Sequence, residues 1–351
     1  MNSWRDNVRK VEPYTPGEQP KEEGVIKLNT NENPYPPSDK IKKAMSGIKN
    51  LRKYPDPAAT KLVEAIASYH GFDKEEVFVG VGSDDVLAVA FMTFFNGKKP
   101  IFFPDITYSF YPVWAELFGI PYEKKAVNDA FEIQKEDYYA ENGGVIFPNP
   151  NAPTGAFLSL EVVEDIIQHN QEVVVIVDEA YIDFGGDTAK ELTRKYDNVL
   201  VVQTYSKSRS LAGLRIGYAI GNKELIKAMN DVKYSYNSYT MNEPSIVLGT
   251  AVLEDEEYFQ ETRNKIIDTR EWFQTEMRKI GFSFADSKAN FIFATHESVP
   301  AKEIFEAAKK AKIYVRYFDQ PRINNYLRIT IGTREEMETL LDFLKEFTAT
   351  K

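Results

Sequence analysis

The sequence predicts an α/β protein, in which a large domain with a mostly parallel central sheet flanked by helices is followed by a smaller α+β domain. Its 351 residues suggest two domains at ~100–200 residues per domain. Between residues 77 and 220, short β-branched or aromatic runs lack polar alternation and are separated by segments of helix length. This pattern is typical of strands buried on both faces of a parallel sheet. After residue 242 the sequence becomes charged and helix-periodic, which indicates a different kind of domain.

The candidate strands of the large domain are six short apolar runs. They are Val77–Val81, Ile101–Phe103, Val145–Phe147, Val173–Val177, Val199–Val202 and Ile216–Ile220. Helix-length segments such as Ser159–His169 separate them, and the ten-residue apolar run Val86–Phe95 is also a predicted helix. Ahead of the strands, Pro13–Pro37 is crowded with Pro, Gly, Asn and charge. This composition predicts an arm that lies over another part of the molecule as a lid.

The small domain is predicted to follow a long connecting helix, Tyr258–Ile280, which Gly281 ends. Its further elements are the candidate strands Asn290–Ala294 and Leu327–Ile331 and the candidate helices Ala301–Ala311 and Arg334–Phe347. We therefore expect an arm and lid over residues 1–37, a large domain over residues 38–250, and a small domain over residues 251–351. The small domain is expected to include part of the N-terminal segment.

The composition argues against several classes of protein. Lys and Arg number 43 and Asp and Glu 53, so the net charge of −10 argues against nucleic acid or an anionic membrane as a partner. The absence of Cys excludes disulfides and thiolate chemistry, and His70, His169 and His296 share no ligand spacing, so we expect no metal. The charged N-terminus lacks the apolar core of a secretory signal, and no apolar stretch approaches the ~20 residues of a membrane span. We expect a cytoplasmic protein.

Ligands of an open α/β sheet bind beyond the carboxyl ends of its strands, and two of these ends carry chemically distinctive residues. The fourth strand candidate is followed directly by Asp178 and, three residues later, by Tyr181. The fifth is followed by Ser206 and Lys207, and Arg215 comes eight positions after the lysine. Taken singly, Asp178 can be a cap or turn residue and Lys207 a solvated charge.

Two further strand ends carry loops of small and polar residues. The first strand candidate leads into Gly82, Ser83, Asp84 and Asp85. These residues begin the apolar helix, where free backbone N–H groups form a site for an anion. A Ser cap with two acidic residues in the first helical turn explains the same pattern without a ligand. The third strand candidate is followed by a Pro- and Asn-rich turn that contains Asn151.

In order and spacing, the chain resembles the fold-type I pyridoxal-phosphate aminotransferases at six positions: Asn151, Asp178, Tyr181, Ser206, Lys207 and Arg215. The resemblance implies their fold, and pyridoxal 5'-phosphate as the cofactor. It also implies three catalytic residues. Lys207 would bind the cofactor aldehyde and then move the substrate α-proton. Asp178 would keep the pyridine nitrogen protonated, and Tyr181 would hydrogen-bond the phenolic oxygen of the ring.

The same resemblance implies further contacts with the cofactor. Asn151 would share the phenolic oxygen with Tyr181, and Tyr108 would stack on the ring. The cofactor phosphate would be held by Ser206, Arg215 and the loop of Gly82, Ser83, Asp84 and Asp85. The chain departs from many relatives at Ala152, where they carry a second Asn.

Within this superfamily, the chain resembles the histidinol-phosphate aminotransferase family nearly from end to end. Three segments carry the resemblance: Leu28–Tyr35, Tyr54–Asp56 and Leu327–Thr333. It implies transamination between L-histidinol phosphate and 2-oxoglutarate in histidine biosynthesis, with imidazole acetol phosphate and L-glutamate as products. It also implies a homodimer, in which Tyr54 reaches the cofactor phosphate of the other subunit. The substrate-binding residues would be Tyr14, Asn31, Arg316 and Arg328.

Other functions stay open at this stage. An aromatic-amino-acid aminotransferase and a phosphothreonine decarboxylase share the cofactor residues, and the decarboxylase also needs arginines for a phosphate. A cofactor-binding regulator without turnover would be expected to carry a partner domain, such as a DNA-binding helix-turn-helix, for which we find no residues to spare. A nicotinamide oxidoreductase is disfavoured because no G-x-G-x-x-G motif opens a helix after a strand.

Overall fold

A computed structural model describes residues 3–49 and 51–351; Met1 and Asn2, at the start of the predicted arm, and Asn50 lie outside the described residues. The α-helices within these ranges are α1 (Asp39–Ser46), α2 (Thr60–His70), α3 (Ser83–Phe94), α4 (Phe110–Phe118), α5 (Leu160–Gln168), α6 (Lys223–Tyr236), α7 (Glu243–Leu253), α8 (Glu256–Arg278), α9 (Ala301–Lys310) and α10 (Arg334–Ala349). The strands are β1 (Ile26–Lys27), β2 (Val77–Gly80), β3 (Ile101–Pro104), β4 (Tyr122–Lys125), β5 (Val145–Pro148), β6 (Val175–Asp178), β7 (Val199–Thr204), β8 (Gly217–Gly221), β9 (Phe282–Phe284), β10 (Phe291–His296), β11 (Ile313–Tyr314), β12 (Arg316–Tyr317) and β13 (Leu327–Thr330).

The large sheet has seven strands in the order β2-β8-β7-β6-β5-β3-β4. The paired strands β3–β4, β3–β5, β5–β6 and β6–β7 are parallel, whereas β8 runs antiparallel to both of its neighbours. Six of these strands are buried along their whole length, which explains why their sequences show no polar alternation. The predicted mostly parallel sheet is confirmed, and all six candidate strands belong to it.

The seventh strand, β4, was not predicted from the sequence. It has the sequence Tyr-Glu-Lys-Lys, lies at the edge of the sheet next to β3, and has no fully buried residue. An edge strand exposed in this way contains no apolar run. The backbone pairing with β3 therefore decides its conformation.

A second sheet, in the order β12-β13-β10-β9, is antiparallel and packs its apolar face with residues of α8, α9 and α10. The predicted connecting helix is found as α8, which has 23 residues. In the predicted arm, Ile26–Lys27 forms a parallel pair with β11, and Leu28 beside it is buried. This pair is a separate two-stranded sheet, and the arm is attached to the four-stranded sheet by the N–H of Thr330, which donates to the carbonyl oxygen of Leu28 at 3.0 Å. The residue limits of the arm and of the two domains stay a prediction.

The carboxyl ends of β3, β5, β6 and β7 meet at one edge of the large sheet, as parallel pairing requires. The small sheet and the N-terminal segment face this edge. Within residues 3–49 and 51–351, no helix has the length and apolar character needed to cross a membrane. We therefore expect the functional site at the sheet edge where the carboxyl ends of these strands meet.

Candidate active site

A cavity of about 260 Å³ lies at this edge, between the large sheet, the small sheet and the N-terminal segment. Most of the residues that the sequence analysis singled out line it: Tyr14, Asn31, Ser83, Asp84, Tyr108, Asp178, Tyr181, Ser206, Lys207, Arg215, Arg316 and Arg328. Four predicted residues are not among the described residues that form the walls of this cavity: Gly82, Asp85, Asn151 and Tyr54. The fold thus brings together side chains from both sheets.

Asp178 ends the central strand β6 and is 4% exposed. Its Oδ2 accepts a hydrogen bond of 2.8 Å from the hydroxyl of Tyr111, on α4. Its Oδ1 is buried and has no hydrogen-bond partner in the described part of the chain. Burial raises the pKa of Asp178 to about 6, while the Tyr111 bond acts in the opposite direction. A buried carboxylate oxygen without a donor is unfavourable, so this atom is suited to accept an N–H from a ligand.

Lys207 follows β7 and reaches into the same cavity. Its Nζ donates a hydrogen bond of 3.3 Å to the carbonyl oxygen of Thr30 and lies 5.8 Å from the centre of the Tyr181 ring. The backbone at this point is held by Asn33, whose Nδ2 donates to the carbonyl oxygens of Lys207 and Ser208 at 3.0 and 3.1 Å. The lysine is therefore fixed at its backbone, while its amine makes one long hydrogen bond to a neutral group.

Tyr181 lines the cavity three residues after Asp178, and its hydroxyl oxygen accepts a hydrogen bond of 2.9 Å from Asn31 Nδ2. The Oδ1 of Asn31 accepts from the hydroxyl of Thr330 at 3.0 Å. Asn31 was predicted to bind substrate. In the structure both ends of its amide are engaged by protein groups, so its side chain holds Tyr181. Asn31 also lines the cavity, and its contact with substrate stays a prediction.

An anion-binding arrangement lies at the start of α3. Gly82 has φ +86°, a conformation that favours glycine, and a side chain there would clash with the guanidinium group of Arg215. Arg215 Nη2 donates to Asp84 Oδ2 at 3.2 Å, and its Nη1 donates to Ser206 Oγ at 3.4 Å. The backbone N–H groups of the first helical turn, a hydroxyl and a guanidinium group thus meet at one point.

The two acidic residues of this turn have different roles. Asp84 lines the cavity and accepts a hydrogen bond of 2.8 Å from the Tyr108 hydroxyl through its Oδ1. Asp85 turns away, and its Oδ2 accepts from the backbone N–H of Val81 at 2.9 Å. The carboxylate of Asp85 therefore stabilises the turn before α3. The contact of this residue with a cofactor phosphate, through the backbone amides of the loop, stays a prediction.

Asn151 does not contribute its side chain to the cavity. Its Nδ2 donates to the carbonyl oxygen of Ile106 at 2.9 Å and to Thr154 Oγ1 at 3.0 Å. The next residue, Ala152, lines the cavity instead. The structure contradicts the prediction that Asn151 binds the phenolic oxygen of a cofactor, because one hydrogen of its amide is donated within the turn, to Thr154, and the other to Ile106 after β3.

Two arginines of the small sheet line the cavity wall that lies opposite the large sheet. Arg316 and Arg328 lie opposite each other on the paired strands β12 and β13. The Nη2 of Arg328 donates to the carbonyl oxygen of Asn29 at 3.0 Å, and its buried Nε has no hydrogen-bond partner within the described ranges. Burial lowers the pKa of Arg328, and the charge of Arg316 adds to this effect. A partly buried guanidinium group with an unpartnered donor favours an anion as its ligand.

The predicted arm covers the arginine side of the cavity. Tyr14 lines it and stacks on Phe110 of the large domain, with ring centres 4.3 Å apart. On the other side, Asn29 Nδ2 donates to the carbonyl oxygen of Glu18 at 2.8 Å. Between these contacts, a side chain at Gly17 would come within 2.7 Å of Thr30. The arm therefore lies tightly across the cavity.

Tyr54 lies away from the cavity of its own chain. Its side chain is 82% exposed, and its ring packs against Tyr239 with centres 4.7 Å apart. Tyr234 and Tyr236 are also exposed large aromatic residues. The predicted contact with a cofactor phosphate does not occur within one chain.

Several residues of the site were not identified individually from the sequence, among them Tyr111, Asn29 and Gly217. Tyr111 holds Asp178, but it lies in an aromatic run that gives no signal of this role. Asn29 stands within a recognised segment, Leu28–Tyr35, and lines the arginine wall. Gly217 begins β8, where a Cβ would clash with the backbone of Gly82 and its successor. A glycine at the start of an apolar strand is the signal that could have pointed to this close approach.

Comparison with known proteins agrees with this geometry. The family model of aminotransferase class I and II matches residues 23–344. The chain is 51% identical to the histidinol-phosphate aminotransferase of Clostridium beijerinckii over 344 residues, which are 97% of this chain and 96% of that protein.

Solved structures show the same fold. The histidinol-phosphate aminotransferase from Clostridium acetobutylicum has a TM-score of 0.85 and 23% identity, covering 93% of this chain and 100% of that chain. The enzyme from Sinorhizobium meliloti, in complex with pyridoxal-5'-phosphate, has a TM-score of 0.84 and 21% identity, covering 93% and 91%. The predicted fold class, large parallel-sheet domain plus smaller domain, is thereby confirmed.

The close approach of Gly217 to the turn before α3 gives a first prediction. A methyl group at this position would clash with backbone atoms of Gly82 and Ser83, which cannot move without shifting the whole turn. We expect Gly217→Ala to destabilise the apoprotein by ~1–3 kcal/mol, as overpacking does, and to weaken cofactor binding. Thermal unfolding and titration of the apoprotein with pyridoxal phosphate measure the two effects.

The matched control is Gly213→Ala, because no atom lies within 4 Å of a Cβ built at that glycine. We expect this variant to retain the parent's stability and cofactor affinity. Equal behaviour of the two variants would contradict the packing argument.

The buried carboxylate of Asp178 gives a second prediction, for the apoprotein. Its pKa is about 6 in the folded chain against an ordinary value of 3.8. The native state therefore binds more protons than the unfolded state between these values, and the charged carboxylate removes stability as the pH rises through this window. We expect Asp178→Asn to be more stable than the parent at pH 8, by about 3 kcal/mol at ~1.4 kcal/mol per unit. Near pH 3.5 we expect no difference.

Urea unfolding of both apoproteins at several pH values checks this expectation. Burial also raises the pKa of the neighbouring Glu179, to about 7. Glu179 is present in both proteins, so its effect largely cancels when their free energies of unfolding are subtracted. A stability difference that is independent of pH would show that Asp178 does not titrate in this window.

Proposed function

The chain belongs to the class I and II aminotransferases and, within them, to the histidinol-phosphate aminotransferases, and on that premise we propose that it transaminates L-histidinol phosphate with 2-oxoglutarate. The products would be imidazole acetol phosphate and L-glutamate, as in a step of histidine biosynthesis. The observation that carries this proposal is the pair Arg316 and Arg328, which face the cavity from the small sheet without a carboxylate partner among the described residues.

Aminotransferases of this family depend on pyridoxal 5'-phosphate, and the large-sheet wall fits this cofactor. The unpartnered Oδ1 of Asp178 would accept the N–H of the pyridine nitrogen. Tyr108 would lie against the ring, and Tyr181 would hydrogen-bond its phenolic oxygen. Ser206, Arg215 and the N–H groups at the start of α3 would hold the phosphate. When bound, the cofactor supplies an aldehyde for the amine and a ring that withdraws electrons from the substrate α-carbon.

The side chains of Lys207 and Asp178 would have different roles in the reaction. Lys207 Nζ would take the proton from the substrate α-carbon, a general-base role typically worth ~10²–10⁴-fold in rate. The Thr30 carbonyl, which accepts a hydrogen bond from this amine, would orient it while it is free of the cofactor. The ionised Asp178 would stabilise the positive charge at the ring nitrogen, and its burial would strengthen that attraction because the local dielectric is low.

The substrate phosphate would lie between Arg316 and Arg328. Arg328 Nε has no partner within the described residues and can donate to an anion without losing a bond. In the other half-reaction the same arginines would bind a carboxylate of 2-oxoglutarate or glutamate. The chain has a net charge of −10, so this local pair of cations is what attracts an anionic substrate. Tyr14, from the arm, would close over the phosphate.

We also propose that the enzyme is a cytoplasmic homodimer. The exposed aromatic side chains of Tyr54, Tyr234, Tyr236 and Tyr239 lie outside the cavity of their own chain and would pack against the second subunit. Tyr54 would then reach the cofactor phosphate of that subunit. The absence of Cys fits the reducing conditions of the cytoplasm.

Loss of one substrate-facing arginine tests the proposed substrate. We expect Arg316→Gln to lower kcat/KM for L-histidinol phosphate by ~10-fold or more, since a hydrogen bond to a charged group is worth ~1.5–3 kcal/mol. For L-histidinol, which lacks the phosphate, and for phenylalanine we expect little change. The measurement is the ratio of kcat/KM values at saturating pyridoxal phosphate.

The control is Arg322→Gln. This arginine pairs with Asp105 at 2.9 Å and is outside the cavity walls, so the ratio should stay at the parent value. Equal losses for all three amines in Arg316→Gln would favour an aromatic-amino-acid aminotransferase instead. Release of carbon dioxide from phosphothreonine would favour the decarboxylase.

The proposed dimer is tested by mixing two inactive variants. Lys207→Ala removes the proton-transfer residue, and Tyr54→Ala removes the side chain that would cross to the other subunit. In a mixed dimer, one of the two sites would contain both native residues. We expect partial activity, up to about half of the parent's per mixed dimer, once the subunits have exchanged. Mass spectrometry of differently tagged chains monitors the exchange of subunits. If the subunits exchange and no activity appears, the proposal that Tyr54 reaches the other subunit is contradicted.

A further inference from the structure

Asn31 connects the small sheet with the tyrosine at the cofactor wall. It is 1% exposed, and its Nδ2 donates to the Tyr181 hydroxyl oxygen at 2.9 Å. Its Oδ1 accepts from the hydroxyl of Thr330, at the end of β13, at 3.0 Å. A single buried amide thus lies between a strand of the small sheet and a residue of the large domain.

The direction of these hydrogen bonds follows from the donors and acceptors present. The backbone N–H of Asn31 donates to Thr330 Oγ1 at 3.0 Å, so the hydrogen of this hydroxyl is available for Asn31 Oδ1. With Oδ1 facing the threonine, the NH₂ group of the amide faces Tyr181. The orientation of the amide is therefore determined by Thr330.

The backbone of Asn31 is held in place as well. Its φ of +56° lies in the left-handed region, which Asn tolerates better than most residues. The carbonyl oxygen of Asn31 accepts a hydrogen bond of 3.0 Å from Asn290 Nδ2, and Asn290 is fully buried. Backbone and side chain are thus both fixed, and the amide presents its N–H to the tyrosine in a defined direction.

This geometry determines what Tyr181 can do. A phenol has one hydrogen to donate, and in Tyr181 the oxygen already receives an N–H from Asn31. The Tyr181 hydrogen must then point elsewhere, and the residue lines the cavity where the phenolic oxygen of the cofactor would lie. We propose that Asn31 is a positioning residue that makes Tyr181 a hydrogen donor to this oxygen, an inference that rests on the proposed function.

The positioning of Tyr181 is important in this chain because the turn that contains Asn151 and Ala152 offers no side-chain hydrogen donor to the phenolic oxygen of the cofactor. Ala152 lines the cavity with a methyl group, and the Nδ2 of Asn151 is used by Ile106 and Thr154. A correctly oriented Tyr181 is therefore the side-chain donor that the described residues offer to the phenolic oxygen. A hydrogen bond at that oxygen withdraws negative charge from it, so the oxygen attracts the proton on the neighbouring nitrogen of the bound cofactor less strongly.

The test measures the pKa of the cofactor chromophore by its visible absorbance. Asn31→Gly removes the amide but suits the left-handed backbone, and Thr330→Val removes the hydroxyl that orients the amide while keeping its shape. We expect each to raise the chromophore pKa, by up to about one unit, because donation from Tyr181 becomes less frequent. Tyr181→Phe should raise it at least as much.

The decisive comparison repeats both substitutions in the Tyr181→Phe background. There we expect no further rise, since the donor is already absent, and this non-additivity measures the coupling. The charged and titratable groups around Tyr181, which include Lys207, Arg328, Tyr108 and Tyr111, are unchanged throughout. Equal shifts in both backgrounds, or no shift with Tyr181 present, would overturn the positioning role.

A control variant separates positioning from general loosening. Asn142 is also a buried Asn with side-chain hydrogen bonds, to Ala140 and Asn170, outside the cavity. Asn142→Ala should lower the melting temperature but leave the chromophore pKa unchanged, and a comparable shift in this control would also overturn the inference. If Tyr181→Phe alone leaves the pKa unchanged, the assignment of Tyr181 in the proposed function fails too. A shift in that variant alone overturns only the role of Asn31.

Discussion

One carboxylate, buried with one oxygen unsatisfied, is the constraint on which the rest of the site depends. Asp178 ends β6, which lies between β5 and β7 in the middle of the large sheet. Tyr111 satisfies one oxygen, and the other faces inward without a partner in the described chain. A buried carboxylate of this kind is stabilised when a cationic group donates a hydrogen bond to its free oxygen. In the proposed function, this position at the end of the central strand would accept a protonated ring nitrogen, and the other proposed cofactor contacts line the same cavity.

The second organising feature is the distribution of positive charge in an acidic protein. Arg215 is balanced in part by Asp84, whereas Arg316 and Arg328 of the small sheet face the cavity without a carboxylate partner among the described residues. The cavity thus has one anion-binding wall from each sheet. In the proposed function, this separation would allow one phosphate to remain bound at α3 while a second anion enters and leaves on the other side. Burial lowers the pKa of Arg328 from its ordinary value, and an anion bound there in the proposed function would offset this effect.

The N-terminal segment links these two walls. The backbone N–H of Thr330 donates to the carbonyl oxygen of Leu28 at 3.0 Å, which attaches the segment to β13. From there, Thr30 accepts a hydrogen bond from Lys207 and Asn31 donates one to Tyr181. Two large-domain residues that the proposed function assigns to the cofactor are therefore oriented by a segment bound to the same strand that carries Arg328. In that proposal, the substrate-binding and catalytic groups would share one structural support.

The sequence by itself determined the α/β class, the six buried strands, and the presence of Asp178, Lys207 and Arg215 at strand ends, because apolar runs and motif spacing are local properties of the chain. It did not reveal β4, whose charged residues form a strand only by pairing with β3. Tertiary structure alone decided that Ala152 rather than Asn151 lines the cavity, since the direction in which neighbouring side chains leave a turn depends on the partners each one finds. It also placed Asn31 on Tyr181, 150 positions away, because that contact exists only once the two sheets have packed together.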